Sequence, residues 1–210
     1  MSEYVRENHS TDLDYFRQEE RPYGKSFGQW TVDWWNWAYS TPKSNNPVYD
    51  QTGQNAHVNQ AGPVWFLAGT FGENRIVRRS CTIPYGKAVL FPVINYEINN
   101  LENPSLKTNL DLINNVIEDI NDIVKKDVII DGKLIPVFRV QSDPQTFTLK
   151  ISEGVDTDFP SGVTTAAADG YWVFLKPLSI GMHKIYFHGS CSGGARNSTA
   201  EYNISVTSMK

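Results

Sequence analysis

The sequence predicts a mainly β domain: an antiparallel β-sandwich or jelly-roll-like core with two α-helices. Three observations predict it. Short apolar or alternating runs recur at 64–68, 75–83, 87–94, 146–151, 171–176, 183–188 and 201–207. Turn formers punctuate them, at Pro84-Tyr85-Gly86, Asp131-Gly132 and Gly181. Two stretches, about 27–40 and 105–126, instead carry apolar residues at the three-and-four spacing of an amphipathic helix. With 210 residues, 40% of them hydrophobic, the chain is long enough to bury a core. Residues 1–22 are polar and read as a flexible N-terminal arm, and 23–210 as a single β-rich domain.

Ser26 reads as the N-cap of the first helix. Phe27, Trp30, Trp34 and Trp37 form its apolar stripe, and Thr41-Pro42 closes it, because the residue before proline avoids the α region. Pro47, Asp50, Gly53, Asn55 and Gly62 make 43–62 a long ordered loop. Gly62-Pro63 then opens a strand that Gly69 ends. Pro92 falls inside the apolar run 87–94, which marks an edge or a bulge. In the second helix Leu106, Leu110, Ile113, Ile117, Ile120 and Val124 form the expected stripe. Ser105 is its expected cap, and Lys125-Lys126 suit its negative end. Asp131-Gly132 between two apolar runs predicts a hairpin.

The segments WTVDWWNWAYSTP, NPVYDQTG, QAGPVWFLAG and CTIPYGKAVLFPVIN, taken in order, resemble a group of uncharacterised prokaryotic proteins, many of them exported. These share a Trp-rich N-terminal helix and the Gly-Pro-Val-Trp-Phe-Leu-Ala-Gly segment. DGYWVFLKPLSIGMHKIYFHG and EYNISV resemble the closing hairpin and last strand of such a domain. The resemblance spans roughly 24 to 207 and implies an exported β-rich domain. It implies no activity.

The net charge is −4, and no basic cluster is longer than Arg78-Arg79 or Lys125-Lys126, so nucleic acid is not an expected partner. No run approaches the ~18 apolar residues of a membrane span. The first twenty residues hold no hydrophobic signal region. This fits either a cytoplasmic chain or a mature exported one. Three N-x-S/T sequons, at Asn8, Asn197 and Asn203, favour an extracellular or cell-envelope location. So does the prospect of a disulfide between Cys81 and Cys191.

Candidate chemistry is sparse. Four of six tryptophans lie between 30 and 37, either packed in the core or forming an aromatic platform for a ligand. Trp35, Tyr39, Asp50, Gln60 and Trp65 are the candidate ligand-binding residues. Glu97, with His57 or His188 beside it, is the candidate acid–base group. His183 and His188 are five apart on a strand and face opposite sides, so they do not share a metal. No H-E-x-x-H, C-x-x-C, G-x-S-x-G, G-x-G-x-x-G or Walker pattern occurs, so no metal, nucleotide or other cofactor is expected. Asp156-Thr157-Asp158 could touch Ca²⁺ but read more simply as a solvated acidic loop. The expected function is a non-enzymatic binding or surface-associated module whose partner is a glycan or a protein. The alternatives are an extracellular hydrolase or lyase using Glu97, and a self-assembling structural protein.

Overall fold

A capping box starts the first helix, α1 (Phe27–Ala38): the Ser26 hydroxyl accepts from the Gln29 N–H, and the Gln29 side chain accepts from the Ser26 N–H. The computed structural model describes residues 13–70, 75–155, 158 and 160–208. Asn8, Asp156 and Thr157 lie outside these residues. Strands β1 (Val64–Phe66), β2 (Val77–Pro84) and β3 (Ala88–Asn99) follow α1. Helix α2 (Asn109–Asn121) comes next, then β4 (Ile123–Ile130), β5 (Lys133–Leu134), β6 (Phe138–Arg139) and β7 (Thr146–Ile151). The chain closes with β8 (Gly162–Leu175), β9 (Gly181–Cys191) and β10 (Asn197–Thr207).

The strands form two stacked sheets, ordered β1-β3-β8-β6, with β7 also on β8, and β2-β10-β9-β4-β5. The fold is mainly β and consistent with a β-sandwich, but the sheets are mixed rather than wholly antiparallel. β1 pairs parallel with β3, and β2 parallel with β10. Parallel neighbours need a crossover between them. For β1 and β3 the crossover is β2, which lies in the opposite sheet. The hairpin expected at Asp131-Gly132 joins β4 to β5.

Two apolar layers hold the fold. Phe91, Val93, Phe187, Tyr202 and Ile204 fill the space between the sheets. The outer face of the first sheet buries Leu90, Trp172 and Phe174 against Phe27, Trp30, Trp34 and Trp37 of α1. The stripe in α1 is therefore the one its spacing predicts. Residues 13–22, expected within a flexible arm, are anchored: Tyr15 bridges Leu175, and the Phe16 ring meets the Phe174 ring edge-on.

The second helix is shorter than its pattern suggests. Thr108, not Ser105, caps it, and it ends at Asn121. The run IVKKDVII that follows is rich in β-branched residues and pairs with β9, so Lys125 and Lys126 sit in a strand. The buried face is Leu112, Val116 and Ile120, while Leu110 is exposed. Of the expected stripe only Ile120 is buried: apolar residues lie on several sides of the helix, and packing selects Leu112 and Val116 instead.

Cys81 and Cys191 are free thiols. Cys81 lies opposite Ile204, and Ile204 opposite His183. Cys191 is eight residues further along β9, roughly 26 Å at strand rise. A disulfide needs Cα atoms about 5.5 Å apart, so the expected bridge does not form.

Arg79 is almost completely buried, and among the described residues no carboxylate pairs with it. It donates to the carbonyls of Val48, Asp50, Ala68 and Gly69 and to the Tyr202 hydroxyl. One side chain thus ties the long loop and the chain after β1 to the second sheet.

Candidate functional site

β1 covers only Ala88, Val89 and Leu90 of β3, and the register of β3 shifts between Pro92 and Ile94. The shift is the bulge that Pro92 suggests. It has a consequence for side-chain direction. Before the bulge, Val89, Phe91 and Val93 face the sandwich interior. Beyond it Ile94, Tyr96 and Ile98 pack toward α2, and Asn95 and Glu97 are turned toward α1.

A cavity of about 300 Å³ lies along the stretch of β3 that β1 leaves uncovered. α1 contributes Trp34, Trp35 and Tyr39, and β3 contributes Ile94 to Glu97. Gly69 and Thr70 follow β1, Glu102 follows β3, and residues 195–198 lead into β10. The volume lies at the lower end of ligand-binding cavities. Gly69 allows a close approach, since a Cβ there would stand 2.5 Å from the Ser198 hydroxyl oxygen. Trp34 meets Trp35 edge-on at 5.1 Å, and Trp35 stacks on Tyr39 at 5.9 Å.

Buried polar groups are normally hydrogen-bonded. In α1 the indole N–H groups of Trp30, Trp34 and Trp37 donate to the carbonyls of Pro22, Leu67 and Val58. The Trp35 N–H has no partner, and Trp35 is the residue whose ring lines the cavity beside Trp34. Thr70 Oγ1, Asn95 Nδ2 and both Glu97 carboxyl oxygens are likewise buried and unpaired. Five of the eight such atoms among the described residues therefore belong to residues around one cavity.

Glu97 as a whole is half-buried, but its carboxyl oxygens are closed off from solvent. Tyr39 and Asn99 stand beside them. Burial pushes the Glu97 carboxyl up to about 8; the Glu102 charge adds to the rise, and Asn99 and Tyr39 oppose it. Burial, then the Glu97 and Glu102 charges, push the Tyr39 hydroxyl well up. Asn99 Oδ1 accepts the N–H groups of Leu101 and Glu102, which fixes the turn that sets Glu102 at the rim. Glu102 is exposed, and its carboxyl is raised by partial burial and by the nearby Asp119. Arg196 lies 4.6 Å over the Tyr96 ring and is held by Asp119 at 2.5 Å and Asp122 at 3.5 Å.

Of the residues the sequence singled out, Glu97, Trp35 and Tyr39 come together here. The others do not line the cavity. Exposed His57 faces the Gln54 carbonyl. His188 bonds the Thr199 hydroxyl, on the face of β9 opposite the buried Phe187. Neither histidine is placed to work with Glu97. Asp50 organises its own turn by accepting from Thr52 and Asn55. Burial raises its carboxyl, but these bonds outweigh burial and hold it below its ordinary value. Gln60 clamps the end of β1, bonding the N–H and carbonyl of Phe66 and the Ala56 carbonyl. Trp65 is buried between the sheets.

Sequence reasoning missed Thr70, Asn95, Tyr96, Glu102 and Arg196. The signal available for Asn95 was its spacing of two from Glu97 on one strand. No family model, curated protein or solved structure matches the chain.

Proposed function

We propose that the protein is a binding module whose cavity takes a small polyhydroxylated ligand, a free sugar or the end of a glycan. The observation that carries this is the convergence of unpaired buried donors and acceptors, on Trp35, Thr70, Asn95 and Glu97, around a cavity with aromatic walls. Each such atom left unmet costs on the order of 1–3 kcal/mol. A ligand presenting several hydroxyls to these atoms recovers that cost, and sugars stack their apolar faces on rings of this kind. On the resemblance to exported proteins, we take the ligand to be extracellular.

Hydrolysis is the second reading, because Glu97 and Glu102 share the cavity. The order of depth argues against it. Glycoside cleavage needs two carboxyl groups flanking one bond, whereas Glu97 carries buried oxygens inside the cavity and Glu102 is exposed at its rim. Self-assembly through sheet edges has little to pair with at β5, which is two residues long. At the other edge, Ser80 of β2 already donates to Thr52 of the long loop.

A glycan array followed by titration calorimetry tests the binding reading. Retention of a sugar by the native protein, with loss in Trp35→Phe and Asn95→Ala, supports it. No retention across a broad panel refutes it, and release of 4-nitrophenol from nitrophenyl glycosides would establish hydrolysis instead.

A further inference from the structure

We propose that the sugar-sized ligand of this cavity carries an ammonium group, as a 2-amino sugar does, and that Glu97 receives it. The inference rests on the binding reading above and narrows its ligand class.

The first argument is charge. The lining holds two acids, Glu97 and Glu102, and one cation among the described residues, Arg196. Arg196 is already engaged by Asp119 and Asp122. Even with Glu97 protonated, three carboxylates, Glu102, Asp119 and Asp122, stand against one guanidinium at the cavity, and the excess negative charge repels an anionic ligand and attracts a cationic one.

The second argument is the walls. Trp34, Trp35, Tyr39 and Tyr96 surround the cavity. Aromatic faces stabilise organic cations, more strongly when water is excluded. The third is Glu97 itself. A carboxyl group with both oxygens buried and unpaired stays protonated unless a partner compensates the charge. An ammonium is such a partner: it donates to both oxygens and offsets the charge at once. The remaining unpaired groups, Trp35 N–H, Asn95 N–H and Thr70 O–H, donate, so the rest of the ligand must offer oxygen acceptors. Hydroxyls and a ring oxygen supply them.

Proton balance follows. The free protein holds the Glu97 proton at pH 6, since burial keeps that group up at about 8. An ammonium brought against it displaces the proton to solvent, so binding releases up to one proton. The other charged and titratable groups around Glu97 are Tyr39 from α1, Glu102 at the rim, and Tyr96 and Arg196, with Asp119 and Asp122 behind them. A neutral sugar releases none.

The experiment titrates the intact protein at pH 6 with glucose, galactose and mannose and with their 2-amino-2-deoxy counterparts, in two buffers of different ionisation enthalpy. The expected result is at least tenfold tighter binding of one amino sugar than of its neutral parent, with buffer-dependent heat showing proton release. Glu97→Gln should bring the amino-to-neutral ratio close to one and abolish the buffer-dependent heat. The buffer comparison needs no variant, so a misfolded Glu97→Gln leaves the proposal testable. Equal or weaker binding of all amino sugars overturns the ammonium inference and leaves the sugar reading standing. Binding of none of the six overturns both.

Discussion

Replacing Glu97 by glutamine should make the protein more stable, and by an amount that depends on pH. The carboxyl is unpaired and buried, and its proton leaves at about 8 instead of the ordinary 4.5. The folded state therefore keeps a proton that the unfolded chain releases. Stability from this group is fully present below the unfolded value and is lost as pH rises through the folded one. Each pH unit in that interval corresponds to ~1.4 kcal/mol, so keeping Glu97 neutral lowers stability by about 3 kcal/mol at pH 7 and about 5 kcal/mol above pH 8. Glutamine has the same shape and no proton to hold. The repulsion from Glu102 is already contained in that rise. Urea unfolding followed by tryptophan fluorescence at pH 5 to 9 would measure both proteins. The difference between them isolates Glu97 from groups with opposite slopes, such as Asp50, whose carboxyl is held low. Variant and native protein should be close at pH 5 and separate by about 3 kcal/mol at pH 7, in favour of glutamine. A difference that is constant from pH 5 to pH 8 would refute the description of Glu97 as a buried acid without a counter-charge.

Arg79→Met keeps the apolar stem but leaves the carbonyls of Val48, Asp50, Ala68 and Gly69 without their donor; a loss of about 3–5 kcal/mol in urea unfolding is expected, and a loss below about 1 kcal/mol contradicts the clamp. Gly189→Ala places a Cβ 2.6 Å from Cβ of Ile94 beside the cavity and should cost about 1–3 kcal/mol, read as a lowered unfolding midpoint. Trp34→Phe gives up a bond to Leu67, whereas Trp35→Phe gives up an unpaired N–H, so thermal unfolding should show the first change to be more damaging by about 1 kcal/mol. The mass should be the same with and without reductant, and native Cys81, half-buried with its thiol pushed up to about 12 by burial, should resist alkylation until the chain unfolds.

How much of this was legible in the sequence differs between elements, for physical reasons. α1 was legible because one strongly apolar side of a helix must meet the sheet, and Phe27, Trp30, Trp34 and Trp37 leave no other choice. α2 was not, because Ile123 to Ile130 continues an apolar pattern that a helix and a strand both accept, and pairing with β9 decides between them. The long β8 was under-read, since its first half, GVTTAAADG, has weak strand preference and is held by β7 and β3 on either side. For the candidate site, Glu97, Trp35 and Tyr39 were identifiable singly as an acid and two rings of unassigned role. What joined them was hidden in tertiary pairing. β1 ends after three residues, so β3 runs on without that neighbour, and the bulge after Pro92 then reverses which face each residue takes. Uninterrupted alternation would have put Asn95 and Glu97 on the side of Val89, Phe91 and Val93, inside the sandwich, where two polar groups would have been costly. The proline that marks the bulge and the acid at the cavity are therefore two parts of one device. A sequence that keeps Glu97 without the Pro92 irregularity should not form this site.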